Sequence, residues 1–367
     1  MINVIYLVSR LKPAGPINQA LNLITGYDKQ QIKAILVTLF VEEGKSWKQR
    51  FEEKGIEIIC LKSNQKFLSK AARNLEQIIK ERGVQVVHSS GLSADTVNAM
   101  LGCPVLRVTT IRSHIGDIGE SKSIFVQLYS RWRFKQNLKK MDILVGCSYA
   151  LQKSAEEDIG LKCSCVQNGV DTDKFTPVLP HQKNDLRELL GLPQNKLILL
   201  TVGVLYKRKQ TLFLANTFLK ANLSDTVLVV VGEGEEYDAL KEMRKEHDNI
   251  IMVGRKYDPC EYYQCSDVFL SASLAEGLPN AVLEAMACGL PVLLSDIEPH
   301  SEILKEDSEA GALFKCGDSE DLISGLLKLS NWNVSEKSSH ALSVIKNHFS
   351  KYISANNYVE LYKQNLS

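Results

Sequence analysis

Short apolar runs alternate with amphipathic helical patterns along nearly all of this 367-residue chain, and this alternation constrains its fold more than any other feature. The runs of the first half are residues 2–8, 34–39, 56–61, 84–89, 105–111 and 142–148; those of the second half are 197–204, 227–231, 250–253, 268–271 and 292–295. Most are apolar at consecutive positions, which is typical of strands buried on both faces of a parallel sheet. The sequence therefore predicts an α/β chain, most simply two doubly wound domains in tandem.

Length and charge also indicate two domains. A chain of this length holds two or three domains at about 150 residues each. Residues 1–167 carry 24 Lys and Arg against 15 Asp and Glu, whereas residues 168–367 carry 20 against 28. A turn-rich stretch, 168–177, lies where the sign changes. We predict an N-terminal domain over 1–167 and a C-terminal domain over 168–350, with a last helix, about 351–367, that returns to the N-terminal domain.

Composition and terminal sequence exclude several classes of protein. The chain is 44% hydrophobic and 24% charged, as ordinary globular proteins are. No apolar run approaches the ~18 residues that a membrane span needs. The stretch 1–8 has no cationic leader and is interpreted as a first strand, so a cytoplasmic protein is expected. Nine cysteines without C-x-x-C spacing predict reduced thiols, with no zinc or iron–sulfur site.

Two carboxylates eight residues apart mark the C-terminal half. Glu276 lies in a Gly–Pro loop, and Glu284 lies on a helix predicted over 281–288 with Asn280 as its N-cap. That helix is apolar on all sides except at Glu284, and a buried carboxylate is costly unless a partner hydrogen-bonds to it. A polyhydroxyl ligand would satisfy both groups. The structural alternative is a salt-bridged Glu284 and a solvent-exposed Glu276.

The stretch E-G-L-P-N-A-V-L-E-A-M-A-C-G-L-P-V at 276–292 resembles the E-x7-E signature of glycosyltransferase family 4. Segments 168–175, 202–209, 229–234 and 263–271 resemble further motifs of that family, in the same order. The resemblance covers most of 165–305 and, more weakly, the N-terminal half. It implies a GT-B fold, in which two Rossmann-like domains face each other across a cleft. It also implies transfer of a hexosyl group from a UDP- or GDP-sugar to a saccharide or lipid-linked acceptor in cell-surface polysaccharide or glycolipid biosynthesis.

The same resemblance implies a retaining mechanism. The acceptor attacks from the side of the leaving group, and the leaving phosphate helps to deprotonate it through an oxocarbenium-like state. The donor would bind mainly to the C-terminal domain and the acceptor to the N-terminal domain. Domain closure would assemble the site and exclude water.

Roles for the two carboxylates and their loop follow from the resemblance. Glu276 would hold the donor sugar, and Glu284 would hold the ribose hydroxyls. The backbone of the intervening loop would cradle sugar or phosphate; its residues are Gly277, Leu278, Pro279 and Asn280.

A phosphate-binding loop is implied at 202–209, which contains Gly203 and lies at a predicted strand-to-helix turn. Arg208 and Lys209 would stabilise the charge that develops on the leaving diphosphate, together with helix N–H groups. Without the motif, they would be interpreted as an ordinary solvated surface pair. Many relatives carry Arg just after the loop glycine; Val204 stands there in this chain, so Arg208 and Lys209 would carry the phosphate alone.

Three residues of the N-terminal half complete the candidate site. Gly15, in a loop predicted over 12–18, would allow close approach of backbone to the phosphates or acceptor; the alternative is a plain βα turn. Relatives commonly place a His after the strand that matches 105–111. Arg112 follows that strand here, with His114 two residues on, and either would hydrogen-bond a sugar hydroxyl; Arg112 could also be merely structural.

Two other motifs are discounted. Asp171-Thr172-Asp173 is formally D-x-D, the metal–diphosphate pair of another glycosyltransferase fold, but its position indicates a turn, so no metal is predicted. Gly232-Glu233-Gly234 lacks the third glycine of a dinucleotide fingerprint, so no NAD cofactor is expected. No nucleic-acid partner is predicted either.

Two alternative functions remain open at this point. One is a GT-B-fold epimerase of sugar nucleotides, which would act without an acceptor. The other is a non-catalytic glycan-binding relative. The intact set of Arg208, Lys209, Glu276 and Glu284 favours an active transferase.

A helical pattern over 122–140 combines apolar and basic faces. Phe125, Leu128 and Trp132 share one face, and the basic residues share another: Arg131, Lys135 and Lys139. We expect the apolar face to pack on the sheet; insertion of that face into lipid is the alternative. Either arrangement leaves a basic surface on the positively charged domain, which predicts peripheral binding to the inner, anionic face of the cytoplasmic membrane.

Overall fold

The computed structural model describes residues 1–65, 67–117 and 123–366. The chain divides into two α/β units. The N-terminal unit comprises Met1–Gly169 with Lys351–Ser367, and the C-terminal unit comprises Val170–Ser350. The division falls two residues after the predicted boundary, and the last helix groups with the N-terminal unit. The prediction of two parallel-sheet α/β domains is confirmed.

The N-terminal unit is built on a seven-stranded parallel sheet of order β3-β2-β1-β4-β5-β6-β7. Its strands are β1 (Ile2–Val8), β2 (Ile32–Thr38), β3 (Ile58–Cys60), β4 (Val86–Ser89), β5 (Leu106–Ile111), β6 (Ile143–Gly146) and β7 (Ser164–Cys165). Its helices are α1 (Gly15–Gly26), α2 (Lys48–Glu53), α3 (Leu68–Arg82), α4 (Leu92–Asn98), α5 (Ile124–Leu138), α6 (Tyr149–Ile159) and the C-terminal α15 (Lys351–Leu366).

The C-terminal unit has a six-stranded parallel sheet of order β10-β9-β8-β11-β12-β13. Its strands are β8 (Leu197–Val202), β9 (Thr226–Val231), β10 (Ile250–Gly254), β11 (Val268–Ser271), β12 (Val292–Ser295) and β13 (Gly311–Phe314). Its helices are α7 (Pro180–Leu189), α8 (Thr211–Ala221), α9 (Tyr237–Glu246), α10 (Cys260–Cys265), α11 (Asn280–Ala287), α12 (Glu298–Leu304), α13 (Ser319–Lys328) and α14 (Val334–Val344). Neighbours such as Leu199 and Leu200 are both fully buried, because helices cover both faces of the sheet.

Two strands were not predicted from the sequence, β7 and β13. Both lie at a sheet edge, and β7 is only two residues long. β13 begins at Gly311, where a Cβ would overlap the backbone of Val292. Two residues are too few for β7 to stand out from a loop, and β13 begins with a glycine, which is unfavourable in a strand.

Helix α5 exposes the face that was expected to pack on the sheet, so that expectation is wrong. Phe125, Leu128 and Trp132 are 81%, 55% and 59% exposed. The buried face carries Ser130, Phe134, Asn137 and Leu138 instead. Asn137 fits this face because its Nδ2 donates to Thr96 Oγ1 at 2.8 Å. The hydrogen bond of Asn137 therefore allows the more polar face of α5 to be buried, whereas hydrophobicity alone predicted burial of the opposite face. The first predicted residue, Lys122, lies outside the described residues.

Buried tyrosines attach α15 to the sheet of the N-terminal unit. Tyr362 OH lies 2.7 Å from His88 Nδ1 and 3.0 Å from Tyr27 OH. Tyr358 OH and His88 Nε2 each lie 2.7 Å from Thr110 Oγ1. All five side chains are buried, so the network supplies partners for polar groups that are costly to leave unpaired. Among the helices of the described ranges, none is long and apolar enough to cross a bilayer.

Candidate functional site

The candidate site lies at the carboxyl ends of β8 and β11 in the C-terminal unit. The sheet grows from β8 to β9 and β10 on one side and from β11 to β12 and β13 on the other, so its order reverses between β8 and β11. Open α/β sheets bind ligands at such switch points. The two loops are joined here, because the amide of Leu274 donates to the carbonyl of Arg208 at 2.8 Å.

Glu276 is buried at the centre of this region, with 8% of its surface exposed. Its Oε1 is ion-paired with Lys209 Nζ and accepts a hydrogen bond from Ser273 Oγ at 2.8 Å. Its Oε2 lies 3.7 Å from the guanidinium of Arg208. Burial by itself would raise the pKa of Glu276, but the Lys209 ammonium and the hydrogen bonds hold it below its usual range. The group is therefore an ionised carboxylate between two cations.

Arg208 and Lys209 differ in how far they are already engaged. Both lie in a single 3₁₀ turn, Lys207–Lys209, between β8 and α8, where a strand-to-helix turn was predicted. Lys209 is 24% exposed and ion-paired with Glu276. Arg208 is 45% exposed, and one of its N–H groups donates to the carbonyl of Ala275 at 2.9 Å. Arg208 thus presents more of its charge to a ligand than Lys209 does.

Glu284 is half-buried on α11, and Tyr263 OH donates to its Oε2 at 3.0 Å. The structural alternative expected a solvent-exposed Glu276, and the structure contradicts this because Glu276 is buried and salt-bridged. The expected N-cap is also wrong by one residue. Asn280 is the first residue of α11, and Pro279, with an extended backbone, caps it. Proline suits this position since it has no N–H to leave unpaired.

The glycines around the β8 loop serve close backbone packing. A Cβ on Gly232 would overlap the carbonyl oxygen of Gly203, and a Cβ on Gly234 would lie 2.7 Å from that of Leu205. Space around Gly203 itself is open, and Val204 is exposed. The G-x-G pair therefore packs against the loop that carries Arg208.

The remaining loop residues lie between the two carboxylates along the chain. Leu278 and Pro279 are buried, and Gly277 and Asn280 are half-buried. Their chain leads from Glu276 directly into the first turn of α11.

The three candidates from the N-terminal half, Gly15, Arg112 and His114, differ in exposure and in hydrogen-bond partners. Gly15 is exposed and is the first residue of α1, so the predicted loop ends at residue 14 rather than 18. Arg112 is half-buried, and its guanidinium donates to Asn168 Oδ1 at 2.7 Å and to Tyr6 OH at 3.3 Å. Nδ1 of His114 lies 3.0 Å from a serine hydroxyl of α6. Arg112 therefore links the end of β5 to Asn168, the first residue of the segment 168–175.

Asp171 has the role expected of a turn. Its Oδ1 accepts a hydrogen bond from the amide of Asp173 at 3.2 Å, and its carbonyl accepts from the amides of Lys174 and Phe175. This is Asx-turn chemistry.

Sequence reasoning missed two partners of the carboxylates. Ser273 precedes Glu276 by three residues, and this S-x-x-E spacing was a usable signal. Tyr263 has no such signal, because 21 residues separate it from Glu284.

Comparison with known proteins identifies relatives of this chain. Residues 182–363 match the model of the family described as glycosyl transferases group 1. The chain is 34% identical over 180 residues to the UDP-Gal:alpha-D-GlcNAc-diphosphoundecaprenol alpha-1,3-galactosyltransferase of Escherichia coli, which covers 47% of this chain and 46% of that protein. It is 25% identical over 321 residues to the O-antigen biosynthesis glycosyltransferase WclY of Escherichia coli, which covers 83% of each.

A solved structure agrees over both units. The crystal structure of Anabaena Alr3699/HepE in complex with UDP has a TM-score of 0.80 at 17% identity, covering 99% of this chain and 100% of that one. The alignment with the first relative, by contrast, spans about half the length of that protein. The chain therefore has the GT-B fold, and its residues 182–363 match the glycosyl transferases group 1 family.

Proposed function

We propose that this chain is a retaining family 4 glycosyltransferase that moves a hexosyl group from a UDP- or GDP-sugar to a saccharide or lipid-linked acceptor. The observation that carries the proposal is the buried, ionised Glu276 between Lys209 and Arg208 at the switch point of the C-terminal sheet. The name of the Escherichia coli relative supports it with a UDP-galactose donor and a diphosphoundecaprenol-linked acceptor. The Anabaena structure, which contains UDP, supports a uridine donor. The pathway would be synthesis of cell-surface polysaccharide or glycolipid.

Each side chain has a task in this proposal. The exposed guanidinium of Arg208 meets the negative charge that grows on the diphosphate as the glycosidic bond breaks. Lys209 lies between that charge and Glu276, which accepts hydrogen bonds from hydroxyls of the donor sugar. Glu284, held by Tyr263, accepts hydrogen bonds from the ribose. The donor would bind the C-terminal unit and the acceptor the N-terminal unit, where Arg112 or His114 would contact sugar.

Nucleotide binding separates the two carboxylates. Glu284→Gln should weaken binding of free UDP or GDP at least tenfold, since a ground-state contact is lost. Glu276→Gln should leave that affinity unchanged and lower transfer. Calorimetry with the nucleotide alone decides the assignment, with Glu261→Gln, an exposed change on α10, as the matched control. Equal losses in the two site variants would refute the assignment.

Acceptor-free reactions distinguish the other two functions. The purified protein is incubated with a panel of nucleotide sugars, and the products are followed by proton NMR. A new sugar nucleotide without acceptor would indicate an epimerase, and binding without any turnover would indicate a glycan-binding relative. Transfer only when acceptor is present, with the α-configuration of the donor retained, supports the proposal.

We also infer that transfer needs no divalent metal. Arg208 and Lys209 supply the positive charge at the diphosphate position, and the Asp171 carboxylate is engaged in its turn. Activity after dialysis against EDTA should equal that of the untreated enzyme. Restoration of lost activity by Mn²⁺ or Mg²⁺ would contradict this inference.

We propose, finally, that the N-terminal unit binds the inner face of the cytoplasmic membrane through α5. The exposed apolar residues Phe125, Leu128 and Trp132 would enter the lipid, and the exposed Lys139 and Lys140 would contact anionic headgroups at about 1 kcal/mol each. This arrangement replaces the sheet-packed face expected from the sequence.

Sedimentation with vesicles of phosphatidylglycerol or phosphatidylcholine tests the two contributions. Changing Lys139 and Lys140 to Gln should abolish the difference between the two lipids, an electrostatic effect that salt screens. Changing Phe125 and Trp132 to Ser should reduce the binding that persists at high salt. A protein that ignores anionic vesicles at low salt would refute membrane binding.

A further inference from the structure

A chain of buried hydrogen bonds leads from α12 to the Glu276 carboxylate. His300, in the first turn of α12, is fully buried, and its Nδ1 lies 2.9 Å from the backbone oxygen and 3.2 Å from the Oγ of Ser295. Ser295 Oγ donates to the carbonyl of Ser273 at 2.7 Å. Ser273 Oγ donates in turn to Glu276 Oε1 at 2.8 Å. The ends of β11 and β12 are thus joined through polar groups that solvent does not reach.

The contacts of His300 define its tautomer. A carbonyl oxygen only accepts, so Nδ1 carries a proton. Burial lowers the pKa of His300 to about 4; the nearby Glu276 carboxylate opposes this shift and the Lys209 ammonium adds to it. The ring is therefore neutral at physiological pH, with its single proton on Nδ1. Nε2 is then an acceptor.

Nε2 of His300 is buried and has no hydrogen-bond partner within the part of the chain that the structure describes. Most buried polar atoms in native structures are paired, so an unpaired acceptor indicates that something else keeps the residue in place. An aliphatic side chain of similar size would fill the same space without that cost. The group that an aliphatic side chain lacks is the Nδ1–H donor.

We propose that His300 is a positioning residue for Glu276, acting through Ser295 and Ser273. This inference rests on the proposed function, in which Glu276 binds the donor sugar. The Nδ1–H group fixes Ser295, Ser295 fixes the start of the loop at Ser273, and Ser273 orients Oε1 toward Lys209.

The hydrogen-bonded chain from His300 through Ser295 and Ser273 to Glu276, here called the relay, is needed because of where Glu276 lies. Glu276 is not on a helix or strand, since β11 ends at Ser271 and α11 begins at Asn280. A side chain on such a loop needs support from neighbouring groups to hold a productive geometry. Misplacement of a reacting group by about 1 Å costs on the order of 100-fold in rate. The relay supplies this support from the adjacent strand end.

Two isosteric substitutions separate the ring nitrogens. The side-chain nitrogen of Asn occupies the position of Nδ1, whereas that of Gln reaches the position of Nε2. His300→Asn should keep kcat within about threefold of wild type. His300→Gln should lower kcat by roughly 10- to 100-fold with unchanged affinity for UDP in calorimetry, since Glu284 lies on a different element. Ser295→Ala, which leaves the ring intact, should likewise lower kcat and leave the affinity for UDP unchanged.

If His300 only stabilised the first turn of α12, its variants would give a different result. It would lower the thermal stability of the variants without separating kcat from UDP affinity. Equal kcat values for His300→Asn and His300→Gln would overturn the proposal, and so would a Ser295→Ala enzyme with wild-type kcat. Should His300→Gln fail to fold, the Ser295→Ala result decides alone.

A second readout does not depend on transferase activity. If wild type transfers no sugar from any donor, the proposed function fails, but the relay remains testable. The coupling between Lys209 and Glu276 in the unfolding free energy should then be smaller in the His300→Gln background than in the His300→Asn background. Equal coupling in both backgrounds would overturn the relay.

Discussion

Removing the charge of Lys209 tests whether the site is a buried ion pair or a surface pair. Lys209→Met keeps the length of the side chain but leaves the Glu276 carboxylate, 8% exposed, with Ser273 and a guanidinium 3.7 Å away. Breaking a buried pair from one side costs about 3–5 kcal/mol. Arg208 compensates part of this, and Lys209 is itself 24% exposed, so we expect a loss of about 2–3 kcal/mol at pH 7. If Lys209 were a solvated surface residue, as the sequence without its motif indicates, the loss of unfolding free energy would be about 0–1 kcal/mol.

The pH dependence of that loss has a definite sign. In wild type, Lys209 holds the folded-state pKa of Glu276 below its unfolded value, so the pair stabilises the fold above the unfolded pKa. This contribution disappears as pH falls through the lowered folded-state pKa. In Lys209→Met the pKa of Glu276 rises, and the buried group becomes neutral at a higher pH. The difference between wild type and variant should therefore shrink below about pH 5.

Urea unfolding monitored by a single tryptophan measures the loss of stability in the C-terminal unit, which contains Lys209 and Glu276. Trp332 packs against the core of the C-terminal unit, whereas Trp47 and Trp132 belong to the N-terminal unit. Replacing those two with Phe leaves a reporter of the C-terminal unit alone. Unfolding free energies are then compared for wild type and Lys209→Met in this background.

Glu276→Gln is the matched control, because it leaves a lysine that can turn toward solvent and should cost only about 1 kcal/mol. The double variant should resemble Glu276→Gln, with a coupling of about 2–3 kcal/mol. Turnover of Lys209→Met should fall by ~10²-fold or more, the scale for losing one preorganised charge. Additive stability changes with a Lys209→Met loss below about 0.5 kcal/mol would refute the buried-pair reasoning.

Three further predictions concern packing, the C-terminal helix and pH. Gly232→Ala should destabilise the C-terminal unit by about 1–3 kcal/mol because its Cβ would overlap the Gly203 carbonyl, whereas Gly203→Ala, in open space, should be near neutral in thermal unfolding. Tyr362→Phe leaves His88 Nδ1 and Tyr27 OH without the hydroxyl that joins them and should cost the N-terminal unit about 1–3 kcal/mol in urea unfolding. Burial holds the pKa of His88 well below its usual value, so the unfolded chain binds a proton first; stability should fall as pH drops below about 6.5, and a flat thermal unfolding profile from pH 7 to pH 5 would contradict this.

Local sequence determined the fold class and indicated which residues to propose for the site. Strands such as Leu197–Val202 are apolar at consecutive positions, and this pattern needs no tertiary information to indicate a parallel sheet. Glu276 and Glu284 are recognisable because their spacing and their Gly–Pro context lie within one short segment. Arg208 and Lys209 were likewise assigned to a strand-to-helix turn by the residues around them.

Tertiary structure decided which of these groups meet and which faces are buried. Lys209 and Glu276 are 67 residues apart and pair because β8 and β11 are neighbours at the switch point. Ser295 and His300 reach Glu276 only through the end of β12, and no local pattern marks them. The outward face of α5 was misjudged because a hydrogen bond from Asn137 made the more polar face fit the interior. Periodicity registers the hydrophobicity of each residue, whereas burial also depends on partners that distant segments supply.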